Sequence, residues 1–315
     1  MRSIAVLGPG GVGGFLAAAL ARAGTPVTVV AQETTAEHIA DHGIEVQSRR
    51  LGKFTGRPAA VPALSQQVDA LMVATKASGL QDGLDRIHAR PGLVVPLLNG
   101  LDHMEILRDR FGPQSVAAGT IRIEADRPAP GKVVQTSPFL RIDLASGLSE
   151  LRSRLQQLAE ILERAEVPAE VYSGEAQILW SKLVRLNALA LTTSAADRPI
   201  GFIRSDPSWR AALQGCIEEA AAVAGADGAQ IDPGARLAEL DDAHPDLGSS
   251  MQRDIAAGRT PEIDAIPGAV LRAAGRHGIQ CPTIARLTVE VSRRAGMPAP
   301  DSALDGSEGS ARAAG

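Results

Sequence analysis

Two ionisable side chains stand where their surroundings make charge conspicuous. Lys182 sits in the middle of AQILWSKLVRLNALALTT, within Glu175–Thr193, whose apolar residues cover almost every face of a helix. A buried ammonium is costly unless paired or put to use. Desolvation also lowers an amine's pKa, which makes it a better proton donor near neutrality. The same lysine can instead run its stem along the helix and keep its charge in water, as Arg185 can. The residues leave both readings open. The second group is Glu262, in SSMQRDIAAGRTPEIDAIPGAVLR, Ser249–Arg272. Pro261 there reads as the first residue of a restarted helix with Glu262 in its first turn. An acid at that place also serves the helix dipole, and local evidence favours this capping role. In the same stretch Ser250, Asp254 and Ala257 share one face, with Met251 and Ile255 on another.

A third constellation is made of glycine. Ile4–Leu7 is a short unbroken apolar run, the pattern of a strand buried on both faces. Gly8, Gly10 and Gly13 then give G-x-G-x-x-G, and Phe15–Ala23 continues as a small-residue apolar helix ending at Gly24. Gly8 allows the tight turn, Gly10 lets the backbone approach a pyrophosphate, and Gly13 lets helix and strand pack closely. The free N–H groups and dipole at the helix start face phosphate charge. Strand before and helix after are the context this motif requires, so the spacing predicts a dinucleotide site.

The elements that follow extend an open α/β sheet. Pro26–Ala31 reads as a second strand, and the side chain at its end meets the adenosine ribose. That place holds Gln32 and Glu33, where an acid favours the free hydroxyls of NAD and an arginine would favour NADP; Arg49, Arg50 and Lys53 could also reach in. Thr34 is expected to cap a helix to His42, followed by Ile44–Gln47 and a hairpin through Gly52 and Gly56. Ala70–Ala74 and Leu93–Leu98 are further buried strands, ending in Thr75-Lys76 and Asn99-Gly100. Both polar pairs lie where such sheets bind ligands, beyond the carboxyl ends of strands. Val116–Ile123 is a further strand; Lys132–Gln135 and Leu140–Leu144 read as antiparallel additions to the same sheet. From Glu150 strand signals nearly stop and helical periodicity takes over. The expected fold is α/β: an N-terminal Rossmann dinucleotide-binding domain over 1–172 and an all-helical domain over 173–297. A Pro-, Ser-, Gly- and Ala-rich tail, 298–315, cannot bury a core and is expected to be disordered.

Composition narrows the class. The 315 residues suffice for two domains; 44% hydrophobic and 22% charged residues with a net charge of −4 fit an ordinary soluble protein. No basic stripe stands out, which argues against nucleic-acid and anionic-membrane partners. No apolar run reaches membrane-spanning length, and the first residues read as a strand of the fold rather than a signal peptide. Cys216 and Cys281 form no metal-ligand cluster and read as buried thiols of a reducing compartment, so a cytoplasmic location and no metal are expected.

Taken together, GPGGVGG at 8–14, Thr75-Lys76, Leu98-Asn99-Gly100, Trp180-Ser181-Lys182-Leu183, Ser249-Ser250-Met251 and Thr260-Pro261-Glu262-Ile263-Asp264 resemble the ketopantoate reductase (2-dehydropantoate 2-reductase) family. The blocks recur in that family's order over roughly residues 3–295. The resemblance implies an NADPH-binding Rossmann domain and a helical domain that closes over a 2-keto acid. Carried over by motif, Lys182 is the general acid and Glu262 the ligand of a substrate hydroxyl. Ser250 helps hold the carboxylate, Asp254 belongs to the substrate pocket, and Asn99 sits between cofactor and substrate. Lys76 contacts the cofactor, along with Gly8, Gly10, Gly11, Val12, Gly13 and Gln32. The resemblance also implies a homodimer formed through the helical domain. It resolves the two readings of Lys182 in favour of function: hydride adds to C2 while the ammonium meets the charge developing on oxygen and supplies the proton.

Four positions depart from the pattern. The family's Asn four residues after the lysine is Leu186, with Asn187 one step round; its next Asn is Ala190. A further polar position, just before the Ser-Met pair, is Leu247, and the arginine for the NADP phosphate is Gln32. Three readings therefore compete. One is an NADPH-dependent ketopantoate reductase of pantothenate synthesis. A second is a D-2-hydroxy acid dehydrogenase acting on branched or aromatic 2-keto acids, with NAD admitted by Gln32-Glu33. The third is a non-catalytic dinucleotide-binding sensor, against which the retained Lys182 and Glu262 argue.

Overall fold

The computed structural model describes residues 1–304. They separate into two units, one of residues 1–98 and 103–178, the other of 99–102 and 179 onward. The first unit opens with β1 (Ile4–Leu7), α1 (Gly11–Arg22), β2 (Val27–Val30), α2 (Glu33–His42), β3 (Ile44–Ser48) and β4 (Gly52–Gly56). It continues with β5 (Ala59–Val61), β6 (Ala70–Val73), α3 (Leu80–Leu84), β7 (Leu93–Pro96), α4 (His103–Phe111), β8 (Ala118–Arg122) and β9 (Ala125–Ala129). β10 (Lys132–Gln135), β11 (Arg141–Ala145), α5 (Ser149–Arg164) and β12 (Ala169–Tyr172) complete it.

The apolar runs become the parallel sheet. Its strand order is β5-β2-β1-β6-β7, and every residue of β1, β6 and β7 is buried. The register pairs Leu7 with Val30 and with Val73, and Val73 with Pro96. The chain therefore leaves four strands along one edge, which carries Gly8, Ala31, Ala74 and Leu97. β2 and β6 flank β1 on opposite sides, which makes this edge the topological switch point where such sheets take their ligands.

Three expectations are corrected. Lys132–Gln135 and Leu140–Leu144 do not extend the parallel sheet. β10 lies in a separate four-stranded sheet, β4-β3-β10-β9, parallel to β3 and antiparallel to β9. β11 lies in a three-stranded sheet, antiparallel to β8 and parallel to β12. The physical reason lies in α1, which is buried without interruption from Gly13 to Leu20 and so needs apolar cover on both sides. Ile44, Val46 and Val133 of the four-stranded sheet share one core with Phe15–Leu20 and with Ile4 and Val6 of β1. Secondly, Thr34 does not cap α2. Gln32 holds the extended N-cap backbone, without a side-chain cap, and its carbonyl accepts from Thr35 and Ala36 N–H at 2.9 and 2.8 Å. Thirdly, strand structure continues past Glu150, because β12 follows α5 and pairs with β11.

The helical unit holds most of α6 (Glu175–Ala196), then α7 (Ile200–Ser205), α8 (Pro207–Ala226), α9 (Pro233–Asp241) and α10 (Ser250–Ala256). A π-helical turn (Asp264–Gly268) leads into α11 (Ala269–His277), and α12 (Pro282–Arg294) follows. Helix starts are written in the sequence. Asp206 and Asp232 each precede a proline and accept from N–H groups of α8 and α9, and Ser249 accepts from Gln252 N–H at 3.0 Å. The Glu219 carboxylate takes the first N–H groups of α12, from Thr283 and Ile284, both at 2.9 Å. The π turn has an equally local cause. Pro267 has no N–H to give the Ile263 carbonyl, and Gly268 donates to it instead at 3.0 Å.

The division between the units falls at Ile178–Leu179, inside α6, and the helical unit also takes in residues 99–102. Within the expected tail, residues 301–304 are helical and Ala303 is buried, while 305–315 lie outside the described residues. Among the described residues no helix is long and apolar enough to cross a membrane, and no cluster of His, Cys, Asp or Glu could hold a metal ion.

Candidate active site

At the switch point the glycines divide the work. Gly8 adopts φ +87°, and a Cβ there would lie 2.8 Å from the Thr75 methyl. A Cβ on Gly13 would lie 2.1 Å from the Gly8 carbonyl oxygen, so helix and turn touch through bare backbone. Gly10, by contrast, has open space where a Cβ would go. It is the N-cap of α1, which has no side-chain cap and no acid in its first turn. The N–H groups at the start of α1, through Gly11 and Val12, thus front an open backbone surface. That arrangement fits an anionic pyrophosphate. Gly11 has a packing task as well, since a Cβ there would meet the Ala125 carbonyl of β9 at 2.2 Å.

Gln32 and Glu33 are exposed beyond β2, and Lys76 is exposed beyond β6 at the start of a short 3₁₀ turn. Arg49, Arg50 and Lys53 lie elsewhere. Their hairpin is held at the far end of α1, where Arg22 stacks on Phe54 at 4.3 Å and reaches the Leu51 carbonyl. Twelve residues of helix, about 18 Å, separate that end from the glycines. That hairpin thus packs against the end of α1 remote from the glycines.

In the helical unit, Asn99 and Glu262 come together across 163 positions of sequence: the Asn99 amide donates to Glu262 Oε2 at 2.9 Å. Glu262 lies two residues ahead of the π turn, not in the first turn of a helix, and its side chain faces Asn99. The shared face drawn through Ser250, Asp254 and Ala257 does not hold either. Ser250 and Ala257 are exposed, and Ala257 is past the end of α10. Asp254 is buried and accepts from Arg259 Nε at 2.8 Å. The buried serine is Ser249, which caps α10 and accepts from Thr193 Oγ1 at 2.9 Å.

Lys182 is half-buried, as are Ser181, Arg185 and Leu186 beside it on α6. The Ser181 hydroxyl accepts from Arg236 at 3.2 Å, and one carboxylate, Glu239, lies between Arg236 at 2.8 Å and Arg185 at 3.5 Å. Arg185, three residues on from Lys182, and Arg236 thus share the Glu239 carboxylate. α6 is regular throughout, and Asn187 turns to its inner side, fully buried, with neither amide atom hydrogen-bonded among the described residues. Leu186 thus follows Lys182 by one turn on the same face. Ala190 is fully buried and Leu247 half-buried.

Sequence reasoning missed three arginines: Arg259 on Asp254, Arg236 on the Ser181 hydroxyl, and Arg272, which donates to Asp102 and Asp264 at 2.6 Å each. Arg259 and Arg272 give little signal because Asp254 lies across a helix end and Asp102 far upstream, while the reach of Arg236 to Ser181 on another helix shows only in the fold.

Two family models cover most of the chain. Residues 4–146 match "Ketopantoate reductase PanE/ApbA" and residues 176–295 match the C-terminal part of the same family. The chain belongs to the ketopantoate reductase family. This is a family of oxidoreductases. A 2-dehydropantoate 2-reductase of Caulobacter vibrioides is 28% identical over 289 residues, 90% of this chain and 95% of that one. The solved 2-dehydropantoate 2-reductase of Geobacter metallireducens superposes with a TM-score of 0.84 at 26% identity, covering 92% and 99% of the two chains. D-mandelate dehydrogenase, solved with NADH and anilino(oxo)acetate, shares the fold, with a TM-score of 0.84 at 21% identity over 93% and 98%. The ketopantoate reductase fold, an α/β domain followed by a helical one, is the fold of this chain.

Proposed function

We propose that the protein reduces a 2-keto acid with a nicotinamide dinucleotide, in the manner of 2-dehydropantoate reduction. The observation that carries this reading is the hydrogen bond from Asn99 to Glu262, which joins two motif residues that sequence keeps 163 positions apart. The glycine edge supports the cofactor half: Gly8, Gly10 and Gly13, with the N–H groups of Gly11 and Val12, would hold the pyrophosphate. Lys76 and Asn99 would border the same molecule. A reduced nicotinamide, when bound, supplies hydride to C2.

The chain's own residues do the rest. Lys182 meets the charge that develops on the carbonyl oxygen and gives the proton, and its half-buried setting strengthens that interaction relative to water. Glu262 accepts from a substrate hydroxyl while Asn99 fixes which carboxylate oxygen is available. Ser250 and Asp254 serve the substrate pocket, Asp254 with its charge balanced by Arg259. At the ribose end, exposed Gln32 and Glu33 suit free hydroxyls better than a phosphate, which favours NADH over the family's NADPH.

A second reading concerns the substrate side chain. Leu186 shares Lys182's face and Asn187 is sealed inside the unit, so the place where the family keeps a polar amide is apolar. This supports a branched or aromatic 2-keto acid, the chemistry that the name D-mandelate dehydrogenase indicates for a protein of the same fold. Initial rates with NADH and NADPH, each against ketopantoate, 2-ketoisocaproate and phenylglyoxylate, test both readings. Turnover of any of the three supports the reductase; preference for the latter two supports the apolar site. Silence in every combination, with cofactor binding intact, overturns the proposal in favour of a sensor.

A further inference from the structure

Residues 99–102 follow β7 after two intervening residues yet belong to the helical unit, and their attachment there is specific. Three links run side by side against residues 262–272. Asn99 bonds Glu262 at 2.9 Å. Gly100, at φ +86°, lies so close to the π turn that a Cβ would come within 2.0 Å of the Ala265 carbonyl oxygen. Asp102 Oδ2 accepts from Arg272 Nη2 at 2.6 Å. The same guanidinium reaches back to the π turn, donating through Nη1 to Asp264 Oδ1 at 2.6 Å and through Nη2 to the Asp264 carbonyl at 2.8 Å. One planar group on α11 therefore holds both the segment that carries Asn99 and the turn that follows Glu262.

We infer that Arg272 is a positioning residue, which sets the Asn99–Glu262 pair by clamping residues 99–102 to the π turn. The inference rests on the reading of Glu262 as a substrate ligand. The Asn99 bond is a single contact at the start of a short segment whose backbone makes no regular ladder. Charge-assisted bonds of a forked guanidinium are about twice as strong as neutral ones and fix geometry in a plane. An error of about 1 Å in a substrate-orienting group costs on the order of a hundredfold in rate. Asp102 and Asp264 also match the fork in a way that a lysine cannot fully reproduce, since an ammonium offers no planar pair of donors.

The test compares Arg272→Met, Arg272→Lys and Asp102→Asn with Glu262→Gln as the reference, all in the full chain. Asp102→Asn, at a partly exposed carboxylate, keeps the test alive should Arg272→Met fail to fold. Each is read by steady-state kinetics against the best 2-keto acid, by cofactor fluorescence titration, and by hydrogen exchange of a peptide spanning 97–107. The expected result for Arg272→Met and Asp102→Asn is a KM for the keto acid raised about tenfold, with faster exchange in that peptide. Cofactor Kd should stay within about twofold, and Arg272→Lys should recover part of the loss. Unchanged exchange in both variants overturns the clamp whatever the kinetics. Faster exchange without a change in KM, while Glu262→Gln is impaired, overturns the positioning role. Full activity of Glu262→Gln overturns the substrate-ligand reading and, with it, the positioning role, and leaves the exchange result to report on the clamp alone.

Discussion

A Cβ placed on Gly13 would sit 2.1 Å from the carbonyl oxygen of Gly8, whereas one placed on Gly10 would meet nothing within 4 Å. The two glycines of one motif therefore answer to different constraints. Gly13→Ala should lower stability by about 1–3 kcal/mol through overpacking, visible as a reduced Tm, and weaken NADH binding as the turn shifts. Gly10→Ala should leave Tm nearly unchanged and raise the cofactor Kd by about tenfold, equivalent to about 1.4 kcal/mol. A Gly10→Ala protein that binds NADH normally would refute the pyrophosphate role.

If Lys182 is the proton donor of the proposed reduction, Lys182→Met should reduce kcat by about 10²–10⁴-fold while cofactor affinity stays within about twofold. Rapid-quench or stopped-flow NADH oxidation resolves the step. Retention of full turnover would remove Lys182 from the chemistry.

Leu186→Asn restores the amide one turn after Lys182 without touching the buried Asn187. It should shift kcat/KM toward ketopantoate relative to 2-ketoisocaproate by about 10–100-fold, as hydrogen-bonded sites discriminate by paired polar groups. Parallel progress curves with the two acids measure the ratio. An unchanged ratio would mean that this position does not face the substrate.

Cys216 and Cys281 are both buried and unbridged, and burial pushes the Cys281 thiol up to about 12. The reactive thiolate is scarce below that value. At pH 8 the native protein should react with a thiol reagent far more slowly than the denatured chain, in which both thiols become available. Rapid native labelling of either would show that the helical unit opens.

Asp241 accepts from Arg210 at 2.8 Å, and this pairing holds its carboxyl below the ordinary value of 3.8. A carboxyl with a depressed folded pKa stabilises the protein above its unfolded pKa and loses that contribution as pH falls through the folded one. Asp241→Asn should therefore lower Tm at pH 7, with the deficit shrinking below pH 4. A deficit of the same size at every pH across the acid range would assign the effect to packing.

The parallel sheet was legible because its strands are apolar on both faces and its turns are marked by glycine. The position of β10 was not. Val133 and Val46 alternate like ordinary edge strands, and only the need of α1 for apolar cover on its outer side explains a second sheet. In the helical unit, Lys182 and Glu262 stand out by their settings, yet the partner of Glu262 comes from a loop far upstream. The π turn was hidden for a subtler reason: Pro267 removes one donor, and the geometry follows only once the Ile263 carbonyl finds Gly268. Asp254 shows the limit of face counting, since helical spacing grouped it with two exposed residues while it is buried and paired with Arg259, beyond the helix end.

The excursion of residues 99–102 into the helical unit bears on how such proteins can be recombined. A chimera spliced once, near residue 178, joins the Asn99 and Asp102 of one parent to the Glu262 and Arg272 of the other. Modular exchange of cofactor and substrate halves would therefore require two grafts, the second only four residues long.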